Sequence, residues 1–205
     1  MLESKLYINE VCTITSEALV VNGQTLMIND QSSFVEFAKK IYKKYEVNYP
    51  KFFKMDNLSK LAFLASEMIL GNKLENDEQT NIAIVFANQS ASLDTDVKYQ
   101  ASIMDQEKYF PSPTVFVYTL PNICIGEISI KHKLNSENAF FVFDQFQASF
   151  MYTYAEQLIK TGKADKVLCG WVELFQENYK AVVYLVDKNN KGVAHQIENI
   201  NQIFN

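Results

Sequence analysis

TVFVYTLPNICIGEISIKHKLNSENAFFVFDQFQASFMYTYAEQLIKTGKADKVLCGWVE, Thr114 to Glu173, is the stretch whose reading decides the fold of this chain. Ala139 to Phe143 is apolar at every position. Five such residues in a row predict a short strand with both faces covered, as in the centre of a layered sheet. Before it, Leu120 to Lys133 has helical character, capped near Asn122 and ended before Asn135. After it, Gln147 to Thr161 reads as a helix and Lys166 to Gly170 as the next strand. Helix, strand, helix, strand with apolar strands is the pattern of a layered α/β sheet.

The same alternation extends outward in both directions. Tyr7 to Thr13 and Ala18 to Val21 are expected strands. Ser33 to Tyr45 is a helix signalled by the Ser32–Ser33 cap, with Phe34, Phe37, Ala38 and Ile41 on one face. Leu58 to Gly71 is a second helix, with Leu61, Leu64, Ala65 and Met68 at helical spacing and Gly71 as its stop. Asn81 to Ala87 has strand length, and Ala181 to Asp187 follows the turn-like Gln176 to Asn178. No linker, repeat or low-complexity tract interrupts the 205 residues, so a single domain is expected.

At 48% hydrophobic and 21% charged, the chain has enough apolar material for a sizeable core and is not a disordered segment. Net charge is −5 and the lysines are scattered, apart from Lys39, Lys40, Lys43 and Lys44, which argues against nucleic acid as a partner. Cys12, Cys124 and Cys169 have no metal-ligand spacing; an odd number among apolar neighbours fits free thiols in a reducing compartment. The amino terminus, MLESKLYINEV, lacks a basic region before an apolar run, and nowhere are there about 18 consecutive apolar residues. A cytoplasmic protein with no membrane span, no metal and no cofactor is the expectation.

Four stretches together resemble the amino-terminal half of the β-ketoacyl synthases of fatty-acid and polyketide synthesis. They are FKMDNLSKLAFLASEMILGN (Phe53 to Asn72), NIAIVFANQSASLDT (Asn81 to Thr95), the opening segment, and ADKVLCGWVEL (Ala164 to Leu174). Their shared order and spacing carry the resemblance. It implies a thiolase-like half-fold, a layered mixed sheet with helices on both faces. It also implies that the family's nucleophilic cysteine, at the turn from strand into helix, falls on Gln145. A carboxamide cannot ionise to a thiolate or accept an acyl chain from a thioester. Two further departures, Asn88, Ser90, Ala91 and Ser92 in place of loop glycines and Trp171 in place of a glycine, imply a remodelled or filled cleft.

The resemblance covers only the first of the two halves of such enzymes, and the family's active-site histidines belong to the second. His132, in the turn IKHKLNSEN, and His195, in the lysine- and asparagine-rich tail, read as surface histidines. No G-x-S-x-G elbow occurs; Cys124 and Cys169 read as core residues. The acid pairs Asp94 and Asp96, and Asp77 and Glu78, read as solvated loops, while Asp144 reads as a helix cap. Phe140, Phe141, Phe143, Phe146 and Phe150 read as packing residues, with an acyl tunnel as a second use.

A glutamine in the cysteine position is similar to the chain-length factors, inactive partners of iterative ketosynthases, of which half-length versions accompany aryl-polyene and flexirubin-type synthases. Three expectations follow from that likeness. Ala139, Phe140, Phe141, Val142 and Phe143 pair with a mate across a two-fold axis. Val115, Phe116, Tyr118 and Thr119 are presented to the partner's acyl pocket. The partner is a full-length ketosynthase, with acyl carrier protein reached through the complex, in an obligate dimer without independent enzymatic activity. Two alternatives stand beside it: decarboxylation of a malonyl thioester through an amide-lined oxyanion pocket, and a homodimeric structural or binding protein that keeps the fold.

Overall fold

The computed structural model describes residues 5–71, 81–105, 107 and 109–205; Asp77 and Glu78 lie outside them. The chain opens with strands β1 (Tyr7–Thr15), β2 (Ala18–Val21) and β3 (Gln24–Ile28), then helix α1 (Phe34–Lys44), a 3-10 turn (Pro50–Lys54) and helix α2 (Asn57–Leu70). Next come β4 (Ile82–Asn88), α3 (Leu93–Ile103), α4 (Pro113–Val117), α5 (Ile123–His132), β5 (Asn138–Val142) and α6 (Ala148–Lys160). The remainder is β6 (Lys166–Phe175), β7 (Asn178–Asp187), β8 (Val193–Ala194) and α7 (Ile197–Phe204).

The described strands form one mixed sheet in the order β3-β2-β1-β7-β6-β4-β5, with β8 beside β1. β4 runs parallel to both β5 and β6, and the other pairings are antiparallel. One face is covered by α1, α2 and α5, whose Phe37, Ile41, Leu61, Leu64 and Ile125 join a core with Phe86 and Val172 of the sheet. The other is covered by α6 and α7, where Met151, Leu158 and Ile200 meet Val85, Cys169 and Tyr184. β4 is buried at all seven positions because it lies between these layers. Gly170 lets β6 pass its neighbours: a β-carbon there would come within 3.0 Å of Phe86 and Val183.

The α1 cap behaves as the sequence suggests, and α2 has a cap that the sequence reading left unassigned. Ser33 accepts a hydrogen bond from the Glu36 amide to start α1, and Asp56 accepts from Ser59 to start α2. Elsewhere the structure corrects the reading. β6 and β7 run on to a tight hairpin whose turn residue Gln176 is left-handed at φ 58°. Asp94 is not in a solvated loop: it is buried in the first turn of α3, accepting from the Gln176 amide and paired with Lys98. Asp96 is in the same turn, where Ser92 donates to it. Most consequential, Ala139 to Phe143 is not central. β5 closes the sheet order, its residues are half-buried or exposed, and Val142 is 53% exposed. Among the described residues no helix is long and apolar enough to cross a membrane.

Candidate functional site

The turn from β5 into α6 is residues 143–147. The Phe143 amide donates to the carbonyl of Asn88 at 2.9 Å, fixing the end of β5 to the end of β4. α6 starts at Ala148 with Gln147 at its N-cap, and the Gln147 carbonyl accepts from Met151. No side chain caps this helix, so Asp144 is not the cap that its position suggested. Gln145 is exposed, two residues ahead of the cap. The residue that holds the helix amino terminus is therefore Gln147. Gln145 and Gln147 both carry carboxamides, which offer no ionisable nucleophile at the amino end of α6.

Beside the turn the space is filled. Phe146 stacks on Phe204 of α7 with ring centroids 4.2 Å apart, and both meet Trp171 of β6 edge-on, at 5.9 and 6.2 Å. Lys180 clamps this plug, donating to the Phe204 carbonyl while its ammonium lies 4.2 Å from the Phe204 ring centre. Trp171, where the resemblance had a glycine, is the central wall of the plug and only 6% exposed. On the far side of the turn, Phe141 and Phe143 pack on Phe150, and Phe141 also on Tyr154. Phe140 packs against the opposite core. The aromatic residues of this region are packing, not the lining of an open channel.

The four residues expected at the partner's pocket divide. Tyr118 turns inward, 6% exposed, and its hydroxyl donates to Glu127 of α5 at 3.1 Å. Glu127 also accepts from the Tyr49 hydroxyl at 3.1 Å and pairs with Lys51 at 2.8 Å. Burial first, and then the Glu127 carboxylate, push the Tyr49 phenol up to about 12 and Tyr118 further still. Val115 and Tyr118 line a cleft of about 200 Å³ shared with Asp56, Thr95 and Lys98. Thr119 is half-buried and donates to the Phe116 carbonyl. Phe116 alone of the four stands out, 56% exposed beside Tyr99.

Neither histidine lies at the surface. His132 is in the last turn of α5, its side chain 6% exposed and Nε2 2.9 Å from Glu67 of α2, because α5 packs along α2. His195 is 4% exposed, stacked on Tyr152 of α6, and burial lowers its pKa to about 4. His132 joins α5 to α2, and His195 packs on α6. The thiols are no more available. Burial pushes Cys169 up to about 12, and drives Cys12 and Cys124 further upward.

A scan of family models gives no match to the sequence, and a search of curated proteins gives none. Solved structures are similar. The ishigamide ketosynthase/chain length factor superposes with TM-score 0.66 at 15% identity, over 89% of this chain and 62% of that one. The ketosynthase ApeO in complex with its chain length factor ApeC, from Xenorhabdus doucetiae, gives 0.63 at 15% identity, over 97% and 90%. The type II polyketide synthase complex AntDE:AntF, an acyl-carrier protein with its ketosynthase bound to the hexaketide, gives 0.60 at 14%, over 90% and 62%. The chain thus spans under two thirds of the first of these, and nearly all of the matched chain of the second.

The fold is that of the ketosynthases, a thiolase-like α/β half-fold with a mixed sheet and helices on both faces. Within that fold the features of this chain are the two glutamines of the turn, the aromatic plug and β5 at the end of the sheet formed by the described strands.

Proposed function

We propose that this chain is a non-catalytic ketosynthase-like subunit, a chain-length factor that pairs with a catalytic β-ketoacyl-acyl-carrier-protein synthase. The reading is supported by the turn itself: the resemblance puts the family's cysteine position on Gln145, the N-cap Gln147 is a second carboxamide, and Trp171 with Phe146 and Phe204 packs beside them. Such a subunit contributes shape rather than chemistry. Solved ketosynthase and chain length factor complexes of the same fold favour this over a stand-alone role. Acyl carrier protein reaches this chain only through the complex, and the pathway is polyketide or fatty-acid synthesis of the aryl-polyene or flexirubin type, in the cytoplasm. A decarboxylase reading fits less well, because Gln145 is open to solvent and an oxyanion pocket must exclude water to be effective.

The chain-length role falls on the α4 segment, and there on Phe116, because Tyr118 is committed to Glu127. In this account the Phe116 ring blocks the end of the partner's acyl pocket. Overlap of one methylene with a packed wall costs about 1–3 kcal/mol, a roughly five- to 160-fold bias against the next extension. With Phe116→Ala in the reconstituted heterodimer, mass spectrometry of the released chains should show a shift by one or two malonyl units to longer products. Unchanged product length in an intact complex assigns the gate elsewhere.

A further inference from the structure

The lysines at positions 39, 40, 43 and 44 depart from the scattered distribution of the others, and the subunit role leaves them unused. α1 buries Phe34, Phe37, Ala38 and Ile41, turns Lys39 and Lys43 outward, and holds Tyr42 half-buried beside them. Lys40 is held by Asp30 at 2.6 Å, and Lys44 donates to the Leu26 carbonyl of the edge strand β3. Among the described residues neither Lys39 nor Lys43 has a partner. The last turn of a helix favours positive charge in any case, which accounts for Lys43 and Lys44 but not for Lys39.

The charged surface continues beyond α1. Phe53, in the 3-10 turn, is 51% exposed, and its ring stands edge-on to Tyr42 at 4.9 Å. Lys54 beside it is exposed and shares a cleft with Lys98 of α3. Lys60 of α2 feels both sides of the surface: burial first, and then the charges of Lys39 and Lys98, hold it below the ordinary lysine value against the opposite pull of Asp56. Lys39, Lys43, Lys54, Lys60 and Lys98 thus gather around one aromatic ring, on a chain whose net charge is −5. The exposed acids of α1 and the turn after it are Glu36 and Glu46, and the nearby Asp94 is paired with Lys98.

We propose that this face docks on an anionic membrane surface, with the lysines on lipid phosphates and Phe53 at the headgroup boundary. The inference is independent of what the turn into α6 does or does not catalyse. Two features favour a bilayer over an acidic protein. Lysine is depleted at protein interfaces, where the planar fork of arginine is preferred; on its flexible stem it follows instead the diffuse charge of a lipid surface, and a cluster of lysines on the outward side of a helix is a common form of that recognition. An exposed ring among them also lies where aromatic side chains prefer to sit, between headgroups and acyl chains.

Co-sedimentation of the full chain with vesicles tests this, using equal parts phosphatidylglycerol and phosphatidylcholine, and phosphatidylcholine alone. The proposal expects pelleting with the first only, reversed by salt at about 1 M, where charges are screened within about 3 Å. Each lysine near an anionic surface is worth about fivefold in partitioning, so Lys39→Gln combined with Lys43→Gln should lower binding roughly thirtyfold. The same loss of charge at Lys160 and Lys163, at the end of the helix that covers the opposite face of the sheet, should leave binding within about twofold. Phe53→Trp adds a reporter whose emission should move to shorter wavelength on the charged vesicles, Trp171 being buried already. Circular dichroism checks that these exposed substitutions leave the fold intact. Failure to pellet with phosphatidylglycerol, equal pelleting with phosphatidylcholine, or undiminished binding by the Lys39 and Lys43 variant overturns the proposal. Binding of acyl carrier protein through these lysines, with none to vesicles, gives the face to an acidic protein and likewise overturns it.

Discussion

Ala91 holds a left-handed backbone, φ 48°, in the loop after β4, with its amide and carbonyl both tied to the Asn88 side chain. A β-carbon makes this conformation cost about 1–2 kcal/mol relative to glycine. Replacement by glycine returns most of that, less the extra freedom of the unfolded chain, so Ala91→Gly should stabilise by about 1 kcal/mol and raise Tm by roughly 2–4 °C. Calorimetry checks it; a lower Tm would mean the loop is not strained. His195 gives a pH signature. Its folded pKa, about 4, is depressed below the ordinary 6.5. The unfolded chain therefore binds the proton first. Stability is fully present above pH 6.5, and falls as the pH drops toward 4, by up to about 1.4 kcal/mol per pH unit. Urea titrations at pH 7, 5.5 and 4.5 should show this loss in the native protein and a shallower one in His195→Phe. Equal slopes would refute the role of His195.

At the scale of elements, β5 is both the best-read strand and the most misread. Its run of apolar residues marks a strand correctly, but apolarity says only that the faces are to be covered, not by which chain. An edge awaiting a partner and a central strand look alike in sequence. Val142→Pro separates the two roles. Its amide faces outward, so proline leaves the bond from Phe143 to Asn88 in place and removes a donor only from the free edge. The variant should keep the native circular dichroism and Tm within a few degrees, yet fail to co-purify with a ketosynthase. If it pairs normally, β5 is not the shared strand.

The long apolar or amphipathic elements, α1, α2, α6 and β4, were legible because burial imposes their periodicity. α3 was not, because its inner face is polar: only Asp94 and Thr95 are buried along it. α7 hid in a polar tail whose apolar residues make sense only against Trp171 and Tyr152. Gln145 was singled out from the sequence, Gln147 was read only as the start of a helix, and Tyr118 was read facing outward because its anchor Glu127 lies on a different helix.

At the scale of the whole molecule, the proposed subunit keeps the ketosynthase fold, offers β5 as an edge for a partner and carries carboxamides at the turn into α6. The three thiols are buried, Trp171 packs beside the turn into α6, and the turn carries carboxamides, which is what the proposed non-catalytic role rests on. Among the described residues β5 is left as an edge strand with no pairing on its outer side. The direct test is to supply acyl-carrier thioester to the purified pair of this chain and its ketosynthase, and to weigh both intact subunits by mass spectrometry before malonyl units are added. The account predicts the acyl increment on the ketosynthase alone, and elongation on adding malonyl-carrier only when both subunits are present. An acyl adduct on this chain, or elongation by this chain without its partner, would contradict it.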